Sequence, residues 1–133
     1  MNTFELPFAK VMRLDVSLAE IVVDEGVELD SDMVGRFHDF LVANFTPPIG
    51  ILVNKINQYT YTFRAQLKLG DIPEVGAIGV VAYSQMSRRT TEAFSGLPRK
   101  LPLNLRIFDD RKRALLWLKE ELHARQSTPS GVL

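Results

Sequence analysis

The chain has 133 residues, 46% of them hydrophobic and 24% charged, with 16 basic residues balanced by 16 acidic ones. These values describe one globular domain, able to bury roughly two-thirds of its unfolded surface, and they leave no basic excess for a nucleic-acid partner. The lack of cysteine excludes disulfides, thiolate metal sites and cysteine nucleophiles. The longest apolar run is about half of what a bilayer span needs, so no stable membrane insertion is expected. The opening Met1-Asn2-Thr3-Phe4-Glu5 lacks the basic-then-apolar order of a secretion signal, and the expected location is cytoplasmic.

Phe8 to Asp15 reads as a strand, and the β-branched run Leu18 to Val23 reads as its antiparallel partner. Asp24-Glu25-Gly26 signals a turn, and Val27 to Leu29 extends the ribbon. Asp30 or Ser31 can cap a helix with Met33, Phe37, Phe40, Leu41 and Asn44/Phe45 on its inner face; Pro47 ends it. Ile49 to Val53 is continuously apolar, as a strand covered on both faces would be.

A second helix is expected from near Thr60 through Phe63 and Leu67 to Leu69, with Gly70 beyond its end. Ala77 to Tyr83 is the next buried strand, and Ser84 can cap a third helix with Met86, Thr90, Ala93, Phe94 and Leu97 inward. Leu103 to Phe108 is a last strand, and Asp109 or Asp110 caps a helix packed through Ala114, Leu115, Leu118 and Leu122. Gln126 to Leu133 lacks a core pattern and reads as a tail. The order β-β-α-β-α-β-α-β-α predicts one α/β domain over residues 8–124. Its sheet is mixed and mostly parallel, with about five strands, an antiparallel ribbon and four helices.

Catalytic groupings are sparse. His38 and His123 are about 85 positions apart and read as packing or surface residues; no metal or cofactor is expected. Asp109 and Asp110 are adjacent, which suits a helix cap better than acid–base work. The glycines lack phosphate-loop spacing, and Pro98-Arg99-Lys100 is a small basic loop cluster. Ser84 and Arg88 stand at a helix start where an anion can bind, or where Ser84 only caps. The segment Val53 to Phe63 is richest in polar groups. In parallel sheets ligands bind where strands end and helices begin, which makes Asn54, Asn57, Tyr59 and Thr60 binding candidates; the asparagines can equally serve loop backbone groups.

Charge is uneven along the chain. Residues 1–40 carry a net −6 and the remainder +6, with Arg88, Arg89, Arg106, Arg111, Lys112 and Arg113 late in the sequence. Such polarity suits a partner or a second copy of the chain, or reflects ordinary solvated helix faces.

The opening ribbon, the strand–helix alternation and the ending Arg106-Ile107-Phe108-Asp109-Asp110 with Ala114-Leu115-Leu116-Trp117-Leu118 resemble the STAS-like, or SpoIIAA-like, family. The resemblance implies a non-enzymatic, cofactor-free domain that binds a protein partner or forms a homodimer; a carrier of a lipid or other apolar small molecule is the alternative. In the family's antagonists a serine at the helix start after a central strand is phosphorylated. Here the Asp-x-Ser signature is missing from Asn54 to Thr62, and Thr60 is the hydroxyl nearest the expected helix start, with Thr62 second.

Overall fold

The computed structural model describes residues 2–97 and 103–127. Three strands, β1 (Thr3–Leu6), β2 (Ala9–Asp15) and β3 (Leu18–Val23), form an antiparallel meander. A short β4 (Glu28–Leu29) then leads into α1 (Ser31–Asn44), followed by β5 (Ile49–Lys55). Next come a short β6 (Thr60–Tyr61), α2 (Phe63–Lys68), β7 (Val75–Ala82) and α3 (Gln85–Ser95). The chain closes with β8 (Leu105–Phe108) and α4 (Arg111–Ser127). The main sheet has the order β1-β2-β3-β5-β7-β8 and is parallel from β3 onward. The α/β class, the mixed sheet and the four helices agree with the sequence reading.

The sheet holds six strands rather than five. Thr3-Phe4-Glu5-Leu6 alternates outward and inward, and Phe4 packs edge-on against Phe40 of α1 at 5.1 Å. Residues 28–29 do not lengthen the ribbon; they pair in parallel with β6 as a separate two-stranded sheet. At the other end, α4 runs to Ser127, and Arg125 holds Glu121 one turn back at 3.1 Å, so residues 125–127 belong to the helix and not to a tail. Residues 128–133 and the Pro98-Arg99-Lys100 cluster lie outside the described residues.

Two cores form, one on each side of the sheet. On one side α1 and α2 press Val34, Phe37, Leu41 and Ala65 onto Ile21, Ile51, Val53 and Ile78. On the other, α4 presses Ala114, Leu118 and Leu122 onto Leu18, Leu52, Ala77 and Val81. Gly50 lets α4 come close: a Cβ there would lie 2.9 Å from Leu122 Cδ1 and 3.0 Å from Leu18 Cδ1.

Helix faces differ from the sequence pattern in two places. In α3 the expected inner residues Met86, Thr90 and Ala93 are exposed, and Thr91 is buried instead. In α2, Phe63 is exposed and Ala65 takes the inner position.

His38 is buried in α1, where its Nε2 accepts the Gly70 N–H at 3.0 Å just past the end of α2. Burial, with the Lys68 ammonium nearby, lowers its pKa from 6.5 to about 4. The unfolded chain therefore takes up this proton near pH 6.5 and the folded chain only near pH 4. Stability is full above that window and falls by about 2–3 kcal/mol as pH drops through it. Urea unfolding at pH 7 and pH 4.5 should show that loss in the wild type and lack it in His38→Gln, which keeps an acceptor for Gly70 but cannot titrate. Identical losses in the two proteins would contradict this role.

Candidate functional site

The parallel strands β5 and β7 run side by side to their carboxyl ends, where Lys55 pairs with Ala82. The junctions that follow, 56–62 and 83–84, are therefore neighbours, as the sequence reading expects of a ligand-bearing edge. Side chains alternate along β5, so Asn54 faces the α4 side and Lys55 faces the α1–α3 side. One strand end thus serves two different polar environments.

On the α4 side, Glu20 of β3 is 1% exposed. Its carboxylate takes the Arg111 guanidinium through Nη2 and, at 3.2 Å, through Nε, and accepts from Asn54 Nδ2 at 2.8 Å. Tyr83 Oη donates to Asn54 Oδ1 at 2.7 Å, so the asparagine amide has both ends occupied. The Glu20 carboxylate in turn raises the Arg111 pKa and holds the guanidinium protonated. This arrangement clamps β3, β5, the end of β7 and the start of α4. The buried charge is compensated by geometry on every side.

On the opposite side, the Lys55 ammonium lies 5.4 Å from the Tyr59 ring centre and 5.7 Å from that of Tyr61. Its Nζ donates to Thr91 Oγ1 at 3.2 Å. Burial lowers the Lys55 pKa. The two phenols share a hydrogen bond of 3.2 Å, and burial raises both, Tyr61 to about 12 and Tyr59 well above its ordinary value. Both stay protonated at neutral pH.

Asn57 donates to the Val23 carbonyl at 2.9 Å and so secures the end of β3. Thr60 lies in β6, exposed, and not at a helix start; its N–H donates to Val27 O. The residue that caps α2 is Thr62, whose hydroxyl accepts the Ala65 N–H at 3.2 Å. Ser84 accepts the Ser87 N–H at 3.1 Å at the head of α3, and Arg88 is exposed. The structure thus brings Asn54 to Tyr83 and Tyr59 to Lys55, while Asn57, Thr60, Ser84 and Arg88 serve separate parts of the edge.

The sequence reading passed over Glu20, Arg111 and Lys55. A carboxylate inside Leu18-Ala19-Glu20-Ile21-Val22-Val23 and a cation ending the run Ile49-Gly50-Ile51-Leu52-Val53-Asn54-Lys55 were the available signals. Charges do not sit in such runs without partners.

No family model matches the chain, and no curated protein matches it in sequence. Among solved structures it is similar to an uncharacterized protein from the DUF3478 family with a SpoIIAA-like fold, from Shewanella loihica PV-4. That likeness has a TM-score of 0.52 at 17% sequence identity and covers 83% of this chain and 91% of the other. The fold is SpoIIAA-like. At that identity the likeness concerns the architecture, and roles within the SpoIIAA-like frame follow from this chain's own side chains.

Replacing Arg111 by methionine leaves the Glu20 carboxylate buried beside Asn54 alone. Urea unfolding should register a loss of about 3 kcal/mol. Adding Glu20→Gln to that variant should restore part of it, since the uncompensated charge is gone. A double variant no more stable than Arg111→Met would show that the guanidinium acts through packing and not through its charge.

Proposed function

We propose that the chain is a non-enzymatic interaction module whose working surface is the carboxyl edge of β5 and β7, occupied by a protein partner. One observation supports this most: large apolar side chains stand exposed around that edge. Ile56 follows β5 directly, Tyr83 follows β7, Phe63 opens α2 and Met86 lies in the first turn of α3, with exposures of 59%, 54%, 63% and 79%. The register that pairs Lys55 with Ala82 sets Ile56 beside Tyr83. Exposed apolar groups gathered beside polar ones favour a macromolecular partner. A regulatory role in the cytoplasm accords with this reading.

The enclosed apolar space under α1 gives no support to a carrier of apolar ligands. The apolar space beneath α1, walled by residues such as Phe8, Val34, Phe37 and Tyr59, has a volume of about 10 Å3. That is the room of a single water, against the few hundred Å3 of a ligand pocket.

A photo-crosslinking residue at Met86 or Phe63 should capture one discrete partner from an extract of expressing cells. The same residue at Val42, exposed on α1, should capture none. Combining Ile56→Ser, Phe63→Ser and Met86→Ser should abolish binding of that partner while leaving the unfolding curve close to wild type, since Tyr83, whose hydroxyl holds Asn54, stays in place. Capture from Val42 as strong as from Met86, or a triple variant that still binds, would overturn the placement.

A further inference from the structure

Lys55 is a partly buried cation at this edge that no carboxylate among the described residues answers. An ammonium has three donors. One goes to Thr91 Oγ1, which itself donates to Ser87 O at 2.9 Å. The tyrosine rings supply cation–π attraction but accept no conventional hydrogen bond through their faces. Among the described residues no carboxylate comes within ion-pair distance of Nζ, whereas Arg111, on the other side of the sheet, has a dedicated buried acid. Two donors therefore remain for an outside acceptor, on a side chain that is partly buried and not fully solvated. Burial without a counter-charge is what lowers the Lys55 pKa.

The size of the surrounding space limits what the acceptor can be. The gap beneath α3 beside Lys55 and Thr91 is walled largely by apolar groups such as Val53, Ile78, Val80 and Leu105, and has a volume of about 10 Å3. That is the room of a single water, so a carboxylate does not enter it and an acceptor reaches Nζ only from outside. An acceptor for Nζ must therefore be presented by something that rests outside, where Ile56, Phe63 and Met86 are exposed. A carboxylate fits the remaining donors, while a dianionic phosphate would call for more cations than this gap supplies.

We propose that Lys55 anchors an acidic side chain, Glu or Asp, of a partner peptide whose flanking apolar residues lie on Ile56, Phe63 and Met86. This rests on the reading of the edge as a protein-binding surface and adds to it the chemistry that is recognised. The aromatic walls make the cation a better anchor than a solvated lysine, because a desolvated charge pair is less screened. Lys55 is a binding residue here and performs no bond-making step.

The test uses the full chain and two acetylated, amidated tripeptides, Phe-Glu-Phe and Phe-Gln-Phe, with phenylacetate as a free acid, each titrated by NMR. The expected result is that Phe-Glu-Phe binds about tenfold or more tightly than Phe-Gln-Phe, as a charged hydrogen bond implies. Lys55→Met keeps the apolar stem and should erase that preference without lowering stability. Equal affinity for the two peptides, an unchanged preference in Lys55→Met, or no binding of either peptide would overturn the proposal. Phenylacetate binding as tightly as Phe-Glu-Phe would overturn the commitment to a peptide. Should Met86 crosslink a partner while Lys55→Met binds that partner as the wild type does, the edge remains the docking surface and only the anchor is refuted.

Discussion

A carboxylate placed inside a sheet that is covered by helices on both sides carries a desolvation cost of several kcal/mol, and the chain can fold only if that charge is met. Glu20 is met by Arg111, Asn54 and, through Asn54, Tyr83. Residues 20 and 111 are 91 positions apart, so the pair closes the fold end to end. It sets where α4 begins, because Arg111 is the helix's first residue, with the Asp110 carboxylate accepting the Lys112 N–H at 3.0 Å just behind it. From that starting point Ala114, Leu118 and Leu122 fall onto the sheet at helical spacing, and Gly50 clears room for the last of them. The polar clamp positions the helix, and apolar burial then supplies most of the free energy.

The two faces of β5 end differently, and that contrast gives the edge its character. Asn54, facing α4, has every polar atom of its side chain engaged within a closed network that includes a full ion pair. Lys55, facing α3, has aromatic faces and one hydroxyl. Alternation along a strand makes such a division automatic, since adjacent residues cannot share a face. The helix above Lys55 reinforces it. Thr91 rather than a large apolar residue sits against the sheet there, while Met86 points to solvent.

Much of the architecture was legible because periodicity reports burial directly. Leu18 to Val23, Ile49 to Val53 and Ala77 to Tyr83 read as strands through β-branched density, the last one residue past the end of β7, and Asp30, Ser84 and Asp110 read as caps. What periodicity missed has specific causes. Four residues were too short a run to register β1, although Phe4 and Leu6 alternate with Thr3 and Glu5. In α3 the apolar stripe was assigned inward by the general rule, but Thr91 took that position through hydrogen bonds to Lys55 and Ser87 that hydropathy does not encode. Thr60 looked like a helix start because the pairing of residues 28–29 with 60–61 is a long-range contact that delays α2 to Phe63. The site was half visible: the polar density of residues 53–63 located the edge, while Glu20 and Arg111 came together only through tertiary folding.

The charge asymmetry along the chain takes a different meaning in this light. A net −6 over the first forty residues and +6 over the rest suggests two oppositely charged halves attracting something outside. Part of that polarity is instead satisfied internally, since Glu20 from the acidic half is buried against Arg111 from the basic half. Lys55 falls in neither cluster, and it was inconspicuous in sequence for that reason. Long-range steering depends on exposed charge summed over a surface, whereas recognition at short range depends on a single charge left uncompensated in a dry setting. In this fold Lys55, at the end of β5, is a partly buried cation with no carboxylate within ion-pair distance among the described residues, and the proposed partner chemistry rests on that one ammonium more than on the net charge of either half.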